Sequence, residues 1–354
     1  MLAARGLETF GLGGAACRAA GVELTADLRS LSAMGATHVL RRALAIARAY
    51  GGLLAAARAR SPRAALLVDY AEFNARLGRS LRARGVRVVR CVAPQVWAWR
   101  PGRLRTAARS FDRLAVVLPF EEALWRAHGV DARYVGHPAV ERSMTPRHAA
   151  RATLAVTGAA PCVAIVAGSR AHEVRHNLPA LLAAHARLAR SHGSEARVLL
   201  APSLDAATLA WARQRAREAE VACVEVDACV GLSAFLAAFD LALVASGTAT
   251  LECALAGLPM VVVYRTDPLT QLAARALLRT PFVALPSIVL GRSCVAELLG
   301  AAATPTAIAQ AAAAALDDAS GARAIAVELH ARLAPPHGGT FAERVADLVT
   351  ESWT

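Results

Sequence analysis

Two short runs carry residue types that bind phosphate and ribose. In Leu241–Val263 an apolar strand runs into Ser246-Gly247-Thr248, and a helix follows with Glu252 one turn in. Backbone N–H groups at such a helix start, with the Ser246 and Thr248 hydroxyls, make an anion site for a diphosphate. Glu252 can accept hydrogen bonds from two vicinal ribose hydroxyls. The same residues suit an ordinary strand–helix–strand unit with a Ser/Thr N-cap, and this segment alone leaves both readings open. The second run is the strand Val163–Ala167 followed by Gly168-Ser169-Arg170-Ala171-His172-Glu173. Its Gly-Ser turn can cradle an anion, and Arg170 can supply fixed positive charge to a leaving diphosphate without a metal. The alternative is a surface pair between Arg170 and Glu173. The second phosphate turn at Ser246 favours the anion reading.

Acid–base chemistry points to Asp69, which ends the apolar run Ala64–Val68 at the carboxyl edge of a sheet. Its neighbours, Tyr70-Ala71-Glu72-Phe73-Asn74, can raise its pKa towards that of a general base. The alternative is an N-cap for the helix that follows. Pro94-Gln95-Val96-Trp97-Ala98-Trp99-Arg100 sets two indoles after a strand, suited to an acyl chain, a sugar face or the core. Tyr264-Arg265 closes another strand, and Gly136-His137-Pro138 reads as a hinge turn. No His, Cys and Asp residues cluster at metal-ligand spacing, so neither a metal nor a cofactor is expected.

Alternating elements must hold these residues. Strands are expected at Ala64–Asp69, Val86–Val92, Arg113–Leu118, Cys162–Ala167, Arg197–Ala201, Cys223–Val226, Asp240–Ala245 and Met260–Tyr264. Helices are expected at about Ala33–Tyr50, Glu72–Arg84, Phe120–His128, Ala171–His192, Ala206–Glu220, Thr248–Ala256 and Thr304–Asp317. Apolar strands between helices mean α/β architecture, with parallel sheets covered on both faces. The polar stretch Gly136–Arg151 reads as a linker between two doubly wound halves. Ligands of such sheets sit beyond the carboxyl ends of the strands, so a cleft between the halves is the expected site. Met1–Arg5 reads as the end of a helix, and no buried strand with a Gly-rich turn is expected to open the first half.

Composition narrows the partners. The 354 residues carry a net charge of +13, almost wholly arginine, with 56% apolar residues. This is not a disordered chain. Its charge attracts nucleic acid, an anionic membrane or phosphorylated small molecules. Basic tracts with interleaved aromatics are missing, which sets nucleic acid aside. No apolar run spans a bilayer, and Glu8 and Gly11 interrupt any signal-peptide core. Seven scattered cysteines fit a reducing compartment.

Assembled, these residues resemble the lipid-A-disaccharide synthases, inverting glycosyltransferases of the GT-B type. The motifs are Val68-Asp69-Tyr70-Ala71-Glu72-Phe73-Asn74, Pro94-Gln95-Val96-Trp97-Ala98-Trp99-Arg100, Leu118-Pro119-Phe120-Glu121, Tyr134-Val135-Gly136-His137-Pro138, Gly168-Ser169-Arg170 with Glu173-Val174, and Ala245–Glu252. The Pro-Gln-Val-Trp-Ala-Trp string is close to private to that family. The similarity runs from about Phe10–Gly14 through Leu31-Ser32-Ala33-Met34-Gly35 to the C-terminal helix.

The resemblance implies two Rossmann-like domains facing a cleft. Residues 1–140 would form the acceptor and membrane side and 141–336 the UDP-sugar side, with a helix in 337–354 packed back on the first domain. The implied reaction passes the glucosamine unit of UDP-2,3-diacylglucosamine to 2,3-diacylglucosamine 1-phosphate, giving the lipid A disaccharide 1-phosphate and UDP. Asp69 and Arg170 stand at the implied catalytic positions. Ser169, Ser246, Gly247, Thr248, Glu252, Arg265, Asn74 and Gln95 complete the expected substrate-binding set. Val39, Leu40, Arg41, Arg42, Leu44 and Ile46 match a membrane-touching helix, whose composition independently fits an interfacial helix. The expected location is the cytoplasmic face of the inner membrane, on anionic lipid, with a second copy of the chain as a further candidate partner.

Three departures accompany the resemblance. The family opens with a strand and a Gly-Glu-Thr-Ser-Gly-Asp-type loop, and this chain is expected to begin after both, so that its first domain is truncated and lacks a central strand. Ala71 and Glu72 replace a Pro and an Asp, and Ser287 replaces an Asn after Leu285-Pro286. The competing readings are an inactive paralogue that binds nucleotide or lipid, and another UDP-sugar enzyme of the GT-B type.

Overall fold

The computed structural model describes residues 1–27, 39–95, 104–227, 230–265 and 280–351. They fall into two α/β units, Met1–His137 with Pro335–Thr354, and Pro138–Ala334. The elements of the first unit are β1 (Phe10–Gly13), β2 (Glu23–Asp27), α1 (Val39–Arg60), β3 (Ala64–Val68), α2 (Ala71–Arg82), β4 (Arg87–Cys91), β5 (Arg113–Val116), α3 (Pro119–Arg126) and β6 (Asp131–Tyr134). Strands β3-β4-β5-β6 form one parallel sheet, and β1 pairs with β2 in a separate parallel pair.

Successive strand residues point to opposite faces, so each strand feeds two cores. Val88, Leu114, Val116 and Ala132 pack with Leu77, Leu81 and Trp125 on one face. On the other, Val89, Cys91, Ala115 and Val135 meet Val345, Leu348 and Val349 of the helix Phe341–Glu351. That C-terminal helix is also tied to the sheet by Arg133 Nη1 to Glu351 Oε2 at 2.7 Å. Side-chain exposures of 39% and 48% make this pair a minor term beside the apolar contact.

The second unit contains β7 (Cys162–Val166), α4 (Ala171–His192), β8 (Glu195–Leu200), α5 (Ala206–Glu218), β9 (Ala222–Glu225), β10 (Leu241–Ala245), α6 (Thr248–Leu255), β11 (Met260–Tyr264), β12 (Ala296–Leu299), α7 (Pro305–Asp317) and α8 (Ala319–Leu333). Its strands run parallel in the order β12-β11-β10-β7-β8-β9. β7 and β10 are buried along their whole length. The first strand of the unit, β7, thus lies between its second and its fourth, β8 and β10. The direction of winding reverses between β7 and β10. In doubly wound sheets that reversal is where ligands bind, beyond the carboxyl ends of the strands.

Several sequence expectations need correction. A short strand, β1, does stand near the start of the first unit, followed by Gly13-Gly14 and the short helix Ala15–Ala19, but only its last residue is buried and it pairs with β2 outside the four-stranded sheet. β3 ends at Val68, so Asp69 lies in the turn. The strands β1, β2, β6 and β12 carry little signal in the sequence, because Phe-Gly-Leu-Gly, Glu-Leu-Thr-Ala-Asp, Asp-Ala-Arg-Tyr and Ala-Glu-Leu-Leu lack a sustained apolar run. Edge position explains their polarity at β2 and β6, where one side of the strand meets solvent.

Candidate active site

In the second unit the two glycine turns leave adjacent strands. Val244 of β10 pairs with Val166 of β7, so Ser246-Gly247 and Gly168-Ser169 follow neighbouring strand ends. α6 starts at Thr248 behind Gly247, and no side chain caps it. Thr250 donates its N–H and its hydroxyl to the Gly247 carbonyl, at 3.1 and 2.7 Å. Among the described residues nothing accepts from the N–H groups of Thr248 and Ala249. Together with the positive end of the helix dipole they leave the start of α6 with unsatisfied donors, the chemistry that suits an anion. Ser246 contributes less than its type promised. Its hydroxyl donates to the Val283 carbonyl at 2.7 Å, so the proton is committed to holding the 280s loop.

Glu252 lies one turn along α6 with 13% of its side chain exposed. Arg142 Nη1 meets its Oε2 at 3.1 Å, which fixes the carboxylate and leaves Oε1 for a ligand. The Gly168 turn differs. Glu173 Oε2 accepts from the N–H groups of Ser169 and Arg170 at 3.0 and 3.3 Å. Glu173 Oε1 accepts from Arg170 Nη1 at 2.7 Å. The expected anion cradle is therefore filled by the protein's own carboxylate, and the Arg170–Glu173 pair is real. Gly168 is required here: at φ 125° its missing Cβ would sit 2.6 Å from Glu173 Cβ. Arg170 is 71% exposed, so its remaining N–H groups face solvent. Burial raises the Tyr264 hydroxyl above its usual pKa; Glu173 adds to this and Arg170 opposes it.

Arg265 also departs from expectation. Its guanidinium donates to the Ala303 carbonyl and its backbone N–H to Asn177 Oδ1, so it fastens loops within the unit. Asn177 is buried and returns Nδ2 to the Ala167 carbonyl at 3.1 Å, bridging the ends of β7 and β11.

In the first unit Asp69 is exposed and sits in the left-handed region at φ 48°, followed by Tyr70 at φ 44°. Two consecutive non-glycine residues there cost about 1–3 kcal/mol each and persist only if the surroundings impose them. Buried side chains do so. Asn74 Nδ2 donates to the carbonyls of Val68 and Asp69 at 3.0 and 2.7 Å. Arg90, only 2% exposed, donates to the carbonyls of Val92 and Asp69, both at 3.3 Å. Desolvation lowers the Arg90 pKa, and the charge of Asp69 partly restores it. Asn74 is thus a positioning residue rather than the substrate ligand expected. Nor is Asp69 the helix cap: Tyr70 occupies that position, without a side-chain cap bond.

Gln95 is exposed. Trp97, Trp99, Arg100 and the segment Leu31–Gly35 lie outside the described residues, as do the side chains of Val39, Leu40, Arg41 and Arg42. Leu44 is 53% exposed on α1, and Ile46 is half-buried. Burial pushes the thiols of Cys91 and Cys162 up to about 12 and about 11, which removes them as nucleophiles. Among the described residues no three His, Cys, Asp or Glu side chains gather where a metal ion could sit.

A family model for lipid-A-disaccharide synthetase matches residues 2–335. The chain belongs to the lipid-A-disaccharide synthase family. It is a glycosyltransferase of lipid A biosynthesis, built on the GT-B type of α/β fold. The synthase of Myxococcus xanthus is 42% identical over 307 residues, covering 86% of this chain and 79% of that one. The synthase of Alkalilimnicola ehrlichii is 38% identical, covering 94% of this chain and 86% of its own. Solved structures share the fold at low identity. A Neisseria meningitidis UDP-GlcNAc 2-epimerase bound to UDP-GlcNAc has a TM-score of 0.65 at 10% identity, covering 98% of this chain and 99% of that one. Acinetobacter baumannii MurG has 0.50 at 14%, covering 98% and 100%.

For this synthase, sequence reasoning missed Arg90, Arg142, Asn177 and the capping role of Glu173. Arg90 did leave a signal, as a lone charge within Val88-Val89-Arg90-Cys91. Arg142 left none, because its partner is 110 residues away. Among the described residues no helix is long and apolar enough to cross a membrane.

Proposed function

We propose that this glycosyltransferase condenses UDP-2,3-diacylglucosamine with 2,3-diacylglucosamine 1-phosphate. The observation that carries the donor side is the uncapped start of α6, at the winding reversal of its sheet and one turn before Glu252. The diphosphate sits on the Thr248 and Ala249 N–H groups, with Gly247 leaving room for it. Glu252 takes the ribose diol through Oε1. Ser169 lines the neighbouring turn, and Arg170 swings from Glu173 to the diphosphate as charge develops on it.

The primary hydroxyl oxygen of the acceptor attacks the anomeric carbon of the donor, and a C–O bond forms with inversion. The bond from that carbon to the diphosphate oxygen breaks, and UDP leaves with the electron pair. Asp69 takes the hydroxyl proton. Its exposure and the left-handed turn imposed by Asn74 and Arg90 support this role. The first unit takes the acceptor and the second the donor. Leu44 and the basic start of α1 rest on the anionic inner leaflet of the inner membrane.

Calorimetry with UDP tests the donor side. Glu252→Ala is expected to weaken UDP by about 1–3 kcal/mol, the scale of bonds to a charged acceptor. Unchanged affinity in a folded variant removes Glu252 from the site.

A further inference from the structure

Between α1 and α2 lies an open groove of about 1180 Å³ whose lining combines apolar side chains with Arg76, Arg79, Arg84 and the single carboxylate Glu72. We propose that this groove holds the phosphorylated, acylated acceptor, with Arg76 and Arg79 on its phosphate and Ile46, Tyr50 and Phe73 against an acyl chain. The proposal rests on the transfer reaction above and assigns the acceptor a seat within it.

Four observations converge on this ligand. First, the groove begins at the proposed base: Tyr70, next to Asp69, lines it, and its ring lies 5.7 Å from that of Phe73. Second, its apolar wall is built rather than incidental. The Tyr50 and Phe73 rings meet edge to face at 5.8 Å, and the Tyr50 hydroxyl is anchored to Ser80 Oγ at 2.7 Å. Third, α2 spends its other face on the core through Leu77 and Leu81, which leaves Arg76 and Arg79 exposed. Three residues apart, they share one side of the helix. Among the described residues no carboxylate pairs with either guanidinium. Against the one carboxylate Glu72 the lining sets three guanidinium groups, Arg76, Arg79 and Arg84, and this positive surplus suits an anion. Fourth, the scale fits. At about 1.5 Å per residue, Arg76 stands roughly 9 Å along the axis from Tyr70, so one molecule can reach from Asp69 to the arginines. The volume exceeds the roughly 300–1,000 Å³ of common small-molecule pockets, leaving room for a chain beside a sugar.

An acidic peptide would match the arginines but not the apolar wall, and a free anion would leave that wall unused. A monophosphorylated amphiphile uses both. α1 also carries the exposed Leu44, three residues before the groove-lining Ala47 and so on a neighbouring part of the helix surface, which sets the groove beside the proposed membrane face.

Equilibrium binding in neutral detergent micelles tests this, with 2,3-diacylglucosamine 1-phosphate and its dephosphorylated counterpart as probes. The parent is expected to prefer the phosphorylated lipid by tenfold or more. Arg76→Gln/Arg79→Gln, at two exposed positions, is expected to abolish that preference with UDP affinity unchanged. Ala47→Trp, which fills the apolar wall, is expected to weaken both lipids. A double variant that keeps the parent's preference overturns the groove. Displacement of the lipid by inorganic phosphate at equal concentration overturns the lipid in favour of a free anion. A parent that binds UDP but neither lipid overturns the transfer reaction on which the groove depends.

Discussion

Asn74→Ala is the perturbation that separates the shape of the turn proposed for catalysis from its chemistry. Asn74 is 7% exposed and gives its amide to two carbonyls, those of Val68 and Asp69. Removing both bonds costs about 1–3 kcal/mol, at the lower end where water reaches the exposed carbonyls. For a unit of this size the melting midpoint then falls by roughly 2–4 °C per kcal/mol. The larger effect is kinetic. Asp69 and Tyr70 hold φ 48° and 44° against their own preference, and without Asn74 only Arg90 still restrains the Asp69 carbonyl. The turn relaxes towards ordinary backbone, and the carboxylate moves. A misplacement of about 1 Å costs about 10²-fold. Steady-state assays are expected to show kcat down by about that factor, with UDP affinity unchanged because the proposed UDP site lies in the other unit. A kcat within threefold of the parent, alongside the expected loss of stability, refutes the claim that this strained turn serves catalysis.

Two further outcomes follow from named groups. Burial holds the His185 imidazole below its usual 6.5, against an opposing pull from the backbone of Ser194 and Glu195. The unfolded chain therefore takes up the proton first as pH falls. Stability of the second unit is fully present above the unfolded pKa and declines as pH drops below it; urea titrations should show that slope flattened in His185→Leu, and an equal slope counts against it. Flotation with anionic vesicles should exceed that with neutral ones and fall with salt, since attraction through the arginines of α1 is screened over about 10 Å at 0.1 M. Equal flotation on both contradicts the electrostatic part.

The donor half was legible because its signals are local. Leu241–Ala245 is uniformly apolar, and the turn and Glu252 follow within a few residues, so strand, turn and helix fell out of one segment. The resemblance of the ordered motifs then named the family. What the sequence could not show was which polar side chains are already occupied. Ser246, Glu173 and Arg265 have the right types in the right places, yet two bond backbone carbonyls and one caps its own helix. Such commitments depend on residues brought near only by folding, as with Val283 and Ala303. The same holds for Asn74 and Arg90, whose work is to impose φ angles that no residue type announces. Short strands such as Asp131–Tyr134 escaped because their neighbours, not their own hydropathy, make them strands.

Turnover by Asp69→Asn, with UDP-2,3-diacylglucosamine and 2,3-diacylglucosamine 1-phosphate as substrates, tests the central assignment most directly. The substitution keeps the size of the side chain and the backbone bonds of Asp69, which run through its N–H to Cys91 and its carbonyl to Asn74 and Arg90. UDP affinity should therefore match the parent, while kcat falls by about 10²–10⁴-fold, the range for loss of a general base. A variant that folds, binds UDP and turns over within a few-fold of the parent contradicts the account and places the base elsewhere.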